Sequence, residues 1–152
     1  EILRCLVGSE MCIRDRSTNA MTTLLAYDGR RSCQRALDYA IRYAVNFNEP
    51  LYIVTVVSKD QMDPEDPDPT VREYMEAAQK KASSAGAIVH TIIETGKADE
   101  MVLDVAERFN CETIIVGRSD RSSLDRLFLG SVSDYVIKNA ECTVILVSDE
   151  DD

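Results

Sequence analysis

The stretch GRSDRSSLDRLFLGSVS, residues 117–133, concentrates residue types that can hold an anion. It opens on Gly117, where the lack of a side chain lets backbone come close to a ligand. It closes on Gly130-Ser131-Val132-Ser133, which reads as the start of a helix. A helix start offers free N–H groups, hydroxyls and the positive end of the helix dipole, a combination suited to phosphate. Arg118, Arg121 and Arg126 add positive charge nearby, and Asp120 adds a carboxylate that opposes it. Many helices open on Gly-Ser and bind nothing, so on these grounds alone a solvated loop competes with an anion site.

Other residues invite chemistry less strongly. Asp28, in AYDG, reads by itself as a turn residue bonding local amides. Cys33 falls near an expected helix start, where a thiolate can be stabilised. It has no His or second Cys close in sequence, so a packed thiol is the expectation ahead of a nucleophile. His90 is the single histidine and falls inside an apolar run, which suits a packed or surface residue better than a general base. Arg30-Arg31 can reach phosphates from the first loop or form a solvated charge pair. There is no GxxxxGK[ST] loop, no GxGxxG and no nucleophile elbow. A pyrophosphate-releasing ligase would need an SGGxDS-type run in place of AYDGRRS. A receiver domain would need a second acid beside Asp28 and a lysine after the last strand.

The elements that must position these residues alternate. Residues 22–27 (TTLLAY) read as a strand closed by Asp28-Gly29. Apolar positions 36, 37, 40, 41, 44 and 45 trace one helix face over residues 32–46, with Ser32 as N-cap. Residues 51–57 (LYIVTVV) suit a strand buried on both faces. A second helix runs from about residue 70 to Gly86, and a strand over 87–93 follows. A third helix carries Met101, Val102, Val105, Ala106 and Phe109. The fourth strand, 113–116, ends at Gly117. The last helix carries Val132, Tyr135, Val136 and Ala140, and CTVILV (142–147) is the fifth strand. Five apolar strands joined by helical crossovers predict an α/β fold: a three-layer, doubly wound, flavodoxin- or Rossmann-like parallel sheet with helices on both faces. Strand order is not fixed by sequence. A ligand belongs outside the carboxyl ends of the strands, at the switch point of the sheet.

Composition sets the limits. The 152 residues suffice for one domain, and 45% hydrophobic with 29% charged residues is a globular balance. A net charge of −10 without a basic tract argues against nucleic acid or an anionic membrane as partner. No apolar run reaches the roughly 20 residues that span a bilayer. The five cysteines form neither a disulfide framework nor a metal-ligand pair, so reduced thiols and a cytoplasmic location are expected. Residues 1–20 lack helical periodicity, and CLVGSEMCIRDR resembles a translated sequencing-adapter read. They are expected to be non-native or disordered, a natural flexible arm being the alternative. The domain is expected over 21–148, with an acidic tail at 149–152. The Pro- and Asp-rich segment 58–69 is expected to be a solvated loop, neither helix nor central strand.

Residues 117–133 resemble the signature of the universal stress protein family: a glycine after the fourth strand, two residues, a second glycine, nine residues, then Gly-Ser or Gly-Thr. Here Gly117, Asp120 and Gly130-Ser131 keep that spacing. AYDG, ETGKADEMVLDVA, IIVGR, LFLGSVSDYVIKNA and CTVILV are also similar to that family, so the resemblance covers residues 21–147. It implies an adenine-nucleotide site. Asp28 would lie beside the adenosine and Val56 would line the adenine pocket. Val116 and Gly117 would flank the ribose and phosphates, and Gly130, Ser131 and Ser133 would form the phosphate-binding turn. Ala26, Tyr27, Ser119, Asp120 and Val132 complete the expected nucleotide-binding set. It also implies a flavodoxin-like sheet, homodimers and, in members that bind ATP, a divalent metal (Mg²⁺ or Mn²⁺) on the phosphates.

Asp120 departs from that pattern, because nucleotide-binding members have glycine there. An aspartate tolerates a left-handed backbone at about 1 kcal/mol. A carboxylate about 4 Å from a phosphate costs about 1 kcal/mol in water and about 4 at an effective dielectric of 20. Charge therefore decides, weakening binding roughly tenfold to a thousandfold. A divalent ion bridging Asp120 and the phosphates would reverse that effect. The expected function is a slow ATP-binding switch in stress response, at most a slow ATPase. The alternative is a nucleotide-free dimeric interaction module, and an enzyme using Cys33 is a third reading. The strand 142–147 is expected at a sheet edge, where an uncovered apolar strand favours a homodimer.

Overall fold

The computed structural model describes residues 21–59, 68–118 and 131–148. Five strands alternate with four helices: β1 (Thr23–Ala26), α1 (Gln34–Phe47), β2 (Leu51–Val57), α2 (Pro69–Ser84), β3 (Val89–Thr95), α3 (Ala98–Arg108), β4 (Thr113–Gly117), α4 (Ser131–Asn139) and β5 (Thr143–Val147). All strand pairs are parallel, in the order β3-β2-β1-β4-β5. This is the Rossmann order 3-2-1-4-5-6 without its sixth strand, not that of a flavodoxin sheet, which settles the alternative left open by sequence. The chain leaves β1 toward β2 on one side and returns through α3 to β4 on the other. The crevice between β1 and β4 is the switch point.

Strand alternation splits the core between two faces. Leu25, Ile53 and Ile115 pack with Ala36, Leu37, Ala40 and Ile41 of α1 and Met75, Ala78 and Ala82 of α2. Leu24, Val54, Ile114 and Val116 pack against Val102, Val105 and Ala106 of α3 and Val136 of α4. β1 is buried on both sides because it sits mid-sheet, and Thr23, Leu24 and Leu25 are all fully inaccessible. That burial fixes the strand ends from which the site is built.

Three local details differ from expectation. Ser32 does not cap α1. It lies in a short 3-10 turn, Arg31–Cys33, and is 5% exposed, while Cys33 occupies the cap position without a side-chain bond. The turn closes through the backbone instead, with Cys33 N–H donating to the Arg30 carbonyl at 3.0 Å. Pro69 belongs to α2, as its first residue, where a missing N–H costs no helical bond. The preceding Asp68 accepts from the Thr70 N–H at 2.7 Å and caps the helix. The third strand lies two residues later than expected, at Val89–Thr95, pairing along β2 from Leu51 to Val57. Residues 1–20, most of the acidic segment and the tail at 149–152 lie outside the described residues.

Candidate functional site

A cavity of about 380 Å³ opens at the carboxyl ends of β1 and β4. Ala26, Tyr27 and Asp28 reach it from β1, and Val116, Gly117 and Arg118 from β4. Val54 and Val56 of β2 with Ala98 and Val102 of α3 form an apolar wall. Ser131, Val132 and Ser133, the first turn of α4, close the other side. One wall can therefore take a flat apolar group, and the other presents helical N–H groups that have no partner within their own helix.

Of the twelve residues expected in the site, nine line this cavity: Ala26, Tyr27, Asp28, Val56, Val116, Gly117, Ser131, Val132 and Ser133. Ser119, Asp120 and Gly130 lie outside the described residues, as do Arg121 and Arg126. The sequence reading missed Ser32, Val54, Ala98 and Val102 as lining residues. Val54 shares a strand face with Val56, and Ala98 and Val102 sit one turn apart at the start of α3. Both periodicities were legible, but the strand order that aims them at one crevice was not.

Each polar residue is held by specific bonds. Asp28 Oδ1 accepts from the Arg30 N–H at 2.9 Å, and its Oδ2 lies 3.4 Å from Arg30 Nε. Both side chains are well exposed, so this pair adds little stability. Its consequence is local, keeping a carboxylate and a guanidinium together at the cavity mouth. Tyr27, nearly buried, accepts a hydrogen bond from Gln34 Nε2, and burial first of all pushes its hydroxyl pKa up. Ser133 is 3% exposed and its hydroxyl donates to the Gly117 carbonyl at 2.9 Å. That bond pins the start of α4 to the end of β4. The Ser133 hydroxyl is thus committed to the frame, leaving its backbone N–H for an anion.

Cys33 lines the cavity as a protonated thiol. Burial, and then the Asp28 carboxylate, push it up to about 12. This is the packed thiol expected from sequence, and the stabilisation that a helix start could give a thiolate is outweighed by its surroundings. His90 lies exposed on the edge strand β3, its ring stacked 5.0 Å from that of Tyr52, remote from the cavity. Among the described residues no group of three or more His, Cys, Asp or Glu can hold a metal ion.

A larger groove, about 840 Å³, runs along α3 to the amino ends of β4 and β5. Its lining includes Glu100, Asp104, Glu107, Glu112 and Glu141. That charge repels the anions that the smaller cavity, with Arg30, Arg118 and a helix start, attracts. Volume and chemistry point to different places here, and chemistry decides.

A family model described as the universal stress protein family matches residues 20–148. A universal stress protein of Methanocaldococcus jannaschii is 33% identical over 76 residues, covering 50% of this chain and 45% of that protein. The matches span roughly half or less of the length of that relative and of two from Synechocystis. Among solved structures, a universal stress protein in complex with cAMP superimposes with a TM-score of 0.71 at 23% identity. It covers 87% of this chain and 100% of that one. One from Archaeoglobus fulgidus in complex with dAMP gives 0.67 at 22%, covering 84% and 97%. At such identities the likeness establishes the fold.

Proposed function

The chain belongs to the universal stress protein family, and from that premise we propose that the cavity between β1 and β4 binds an adenine nucleotide as a slow switch in stress response. The observation that carries this reading is the pairing of an apolar wall, Val54, Val56 and Val102, with the first turn of α4 across one cavity. A base fits the first and a phosphate the second. The relatives solved with cAMP and dAMP support the ligand class. ATP is the proposed physiological ligand. A Mg²⁺ or Mn²⁺ ion is proposed to arrive with the nucleotide, on its phosphates. When bound it would neutralise phosphate charge. Arg30 and Arg118 at the cavity serve the same end.

Turnover is slow in this account. The Cys33 thiol stands beside the Asp28 carboxylate, but burial and then that carboxylate push it up to about 12, so it stays protonated and is a poor nucleophile. A single domain over 21–148 in the cytoplasm completes the reading. No helix among the described residues is long and apolar enough to cross a membrane.

A homodimer through β5 is proposed with it. β5 is an edge strand, and Leu146 on it is 37% exposed. That exposed edge also favours the second reading, an interaction module whose site Asp120 closes.

Thermal unfolding of the full chain with ATP, and with ATP plus Mg²⁺, separates the two. Ligand at 100 times its Kd stabilises by about 2.7 kcal/mol, roughly 6–10 °C for a chain of this size. A shift with either addition supports the switch, and a shift requiring metal gives the cation a structural part. No shift at millimolar nucleotide leaves the interaction module.

A further inference from the structure

We propose that Tyr74, which lies outside the cavity, is a positioning residue of the nucleotide site: its ring, seated on Gly29, holds the Asp28-Gly29 turn and couples helix α2 to that site. The inference rests on the reading that the cavity takes an adenine nucleotide. Gly29 has φ +79°, and the three atoms nearest to a Cβ built there all belong to the Tyr74 ring, at 2.5, 2.6 and 3.0 Å. Ring and backbone are already in full contact, with no room for a methyl group between them. The neighbouring Asp28, Arg30 and Arg31 are exposed, so the restraint on Gly29 comes from within.

The ring is itself fixed on two other sides. The Tyr74 hydroxyl shares a 2.6 Å hydrogen bond with Thr55 Oγ1, and Thr55, in the middle of β2, is 2% exposed. Tyr27 meets the ring edge-on, with centroids 5.8 Å apart and planes at 79°. Tyr27 lines the cavity and immediately precedes Asp28. A continuous path therefore runs from α2 through Tyr74 to both residues that flank the Asp28 carboxylate. Burial raises the Tyr74 hydroxyl pKa, the Thr55 bond partly offsets this, and the Asp28 carboxylate raises it further.

The turn matters because Asp28 and Arg30 reach the cavity from it. A turn free to leave its bound geometry lowers apparent affinity by the fraction of time it is competent. Tyr74→Ala removes the ring from Gly29. Tyr74→Phe keeps the ring and removes only the bond to Thr55.

The test titrates AMP into the full-length wild type and both variants by calorimetry, at a temperature where circular dichroism shows all three folded. In parallel, iodoacetamide labelling of Cys33 without nucleotide is followed by peptide mass spectrometry. Tyr74→Ala is expected to weaken AMP binding about tenfold, the result of a turn competent roughly a tenth of the time, and to label Cys33 faster. Tyr74→Phe is expected to melt earlier yet keep the wild-type Kd and labelling rate. A purely structural role would lower both melting temperatures and move neither Kd. A wild type that binds while Tyr74→Ala binds equally well overturns this proposal alone. Equal affinity losses in the two variants overturn it as well, by assigning the effect to the hydroxyl. A wild type that binds no AMP overturns the nucleotide reading and this inference with it.

Discussion

Ser133→Ala separates two roles for one hydroxyl. The family resemblance places Ser133 in a phosphate-binding turn, whereas the structure gives its hydroxyl to the Gly117 carbonyl at 2.9 Å. Ser133 is 3% exposed, so water does not replace that bond. A net hydrogen bond of this kind contributes about 0.5–1.5 kcal/mol. The lower half applies, because a carbonyl at the end of a strand keeps a second lone pair for the sheet ladder. Alanine recovers up to about 0.5 kcal/mol of helix propensity. The expected net loss is about 0–1 kcal/mol, a fall in Tm of at most roughly 4 °C. The assay is thermal unfolding of ligand-free protein by circular dichroism, followed by AMP titration. Loss of Tm without ligand, with a modest loss of affinity, supports the frame role. An unchanged Tm combined with a large affinity loss would refute the reasoning and return the hydroxyl to the phosphate.

Asp68→Ala removes the cap bond to the Thr70 N–H and should cost about 1 kcal/mol, measured by urea unfolding. Stability should fall on the alkaline side. The Cys33 and Cys111 thiols are pushed up to about 12 from an ordinary 9.0, mainly by burial, so the unfolded chain sheds these protons first. With fewer protons bound unfolded than folded, stability is fully present below about pH 9 and declines toward 12, by up to about 1.4 kcal/mol per pH unit for each thiol. Urea midpoints of a Cys33→Ser/Cys111→Ser variant under reducing conditions should show a flatter alkaline limb, and an unchanged limb would count against it. Leu146→Glu, at 37% exposure on the edge strand, should lower the mass seen by light scattering at micromolar concentration. A wild type already monomeric there removes the proposed dimer.

Much of the fold was legible because a parallel sheet buries its strands on both faces. LYIVTVV at 51–57 could be little else, and β2 occupies those residues. The helices announced themselves through Ala36, Leu37, Ala40 and Ile41, which all face the core. Boundaries drifted where the backbone, not side chains, made the decision. Ser32 looked like a cap, but the 3-10 turn before α1 closes through the Arg30 carbonyl. The site was legible along each strand end, as Asp28 and Gly117 illustrate. Its apolar wall was not, since Val54 and Val102 meet only because β1 lies between β2 and β4. The quiet thiol at Cys33 was legible from the lack of a His or second Cys nearby, whereas the burial and carboxylate that keep it protonated are contacts made by folding.

The central claim, that an adenine nucleotide occupies the cavity at the switch point, is tested most directly by titrating ¹⁵N-labelled protein with AMP and following amide shifts by NMR. The account predicts saturable shifts centred on Asp28, Gly117 and Ser131 to Ser133, the residues that line the cavity from β1, β4 and α4. Shifts that centre instead on the acidic groove beside Glu107 and Glu141, or no shifts at millimolar AMP, would contradict it.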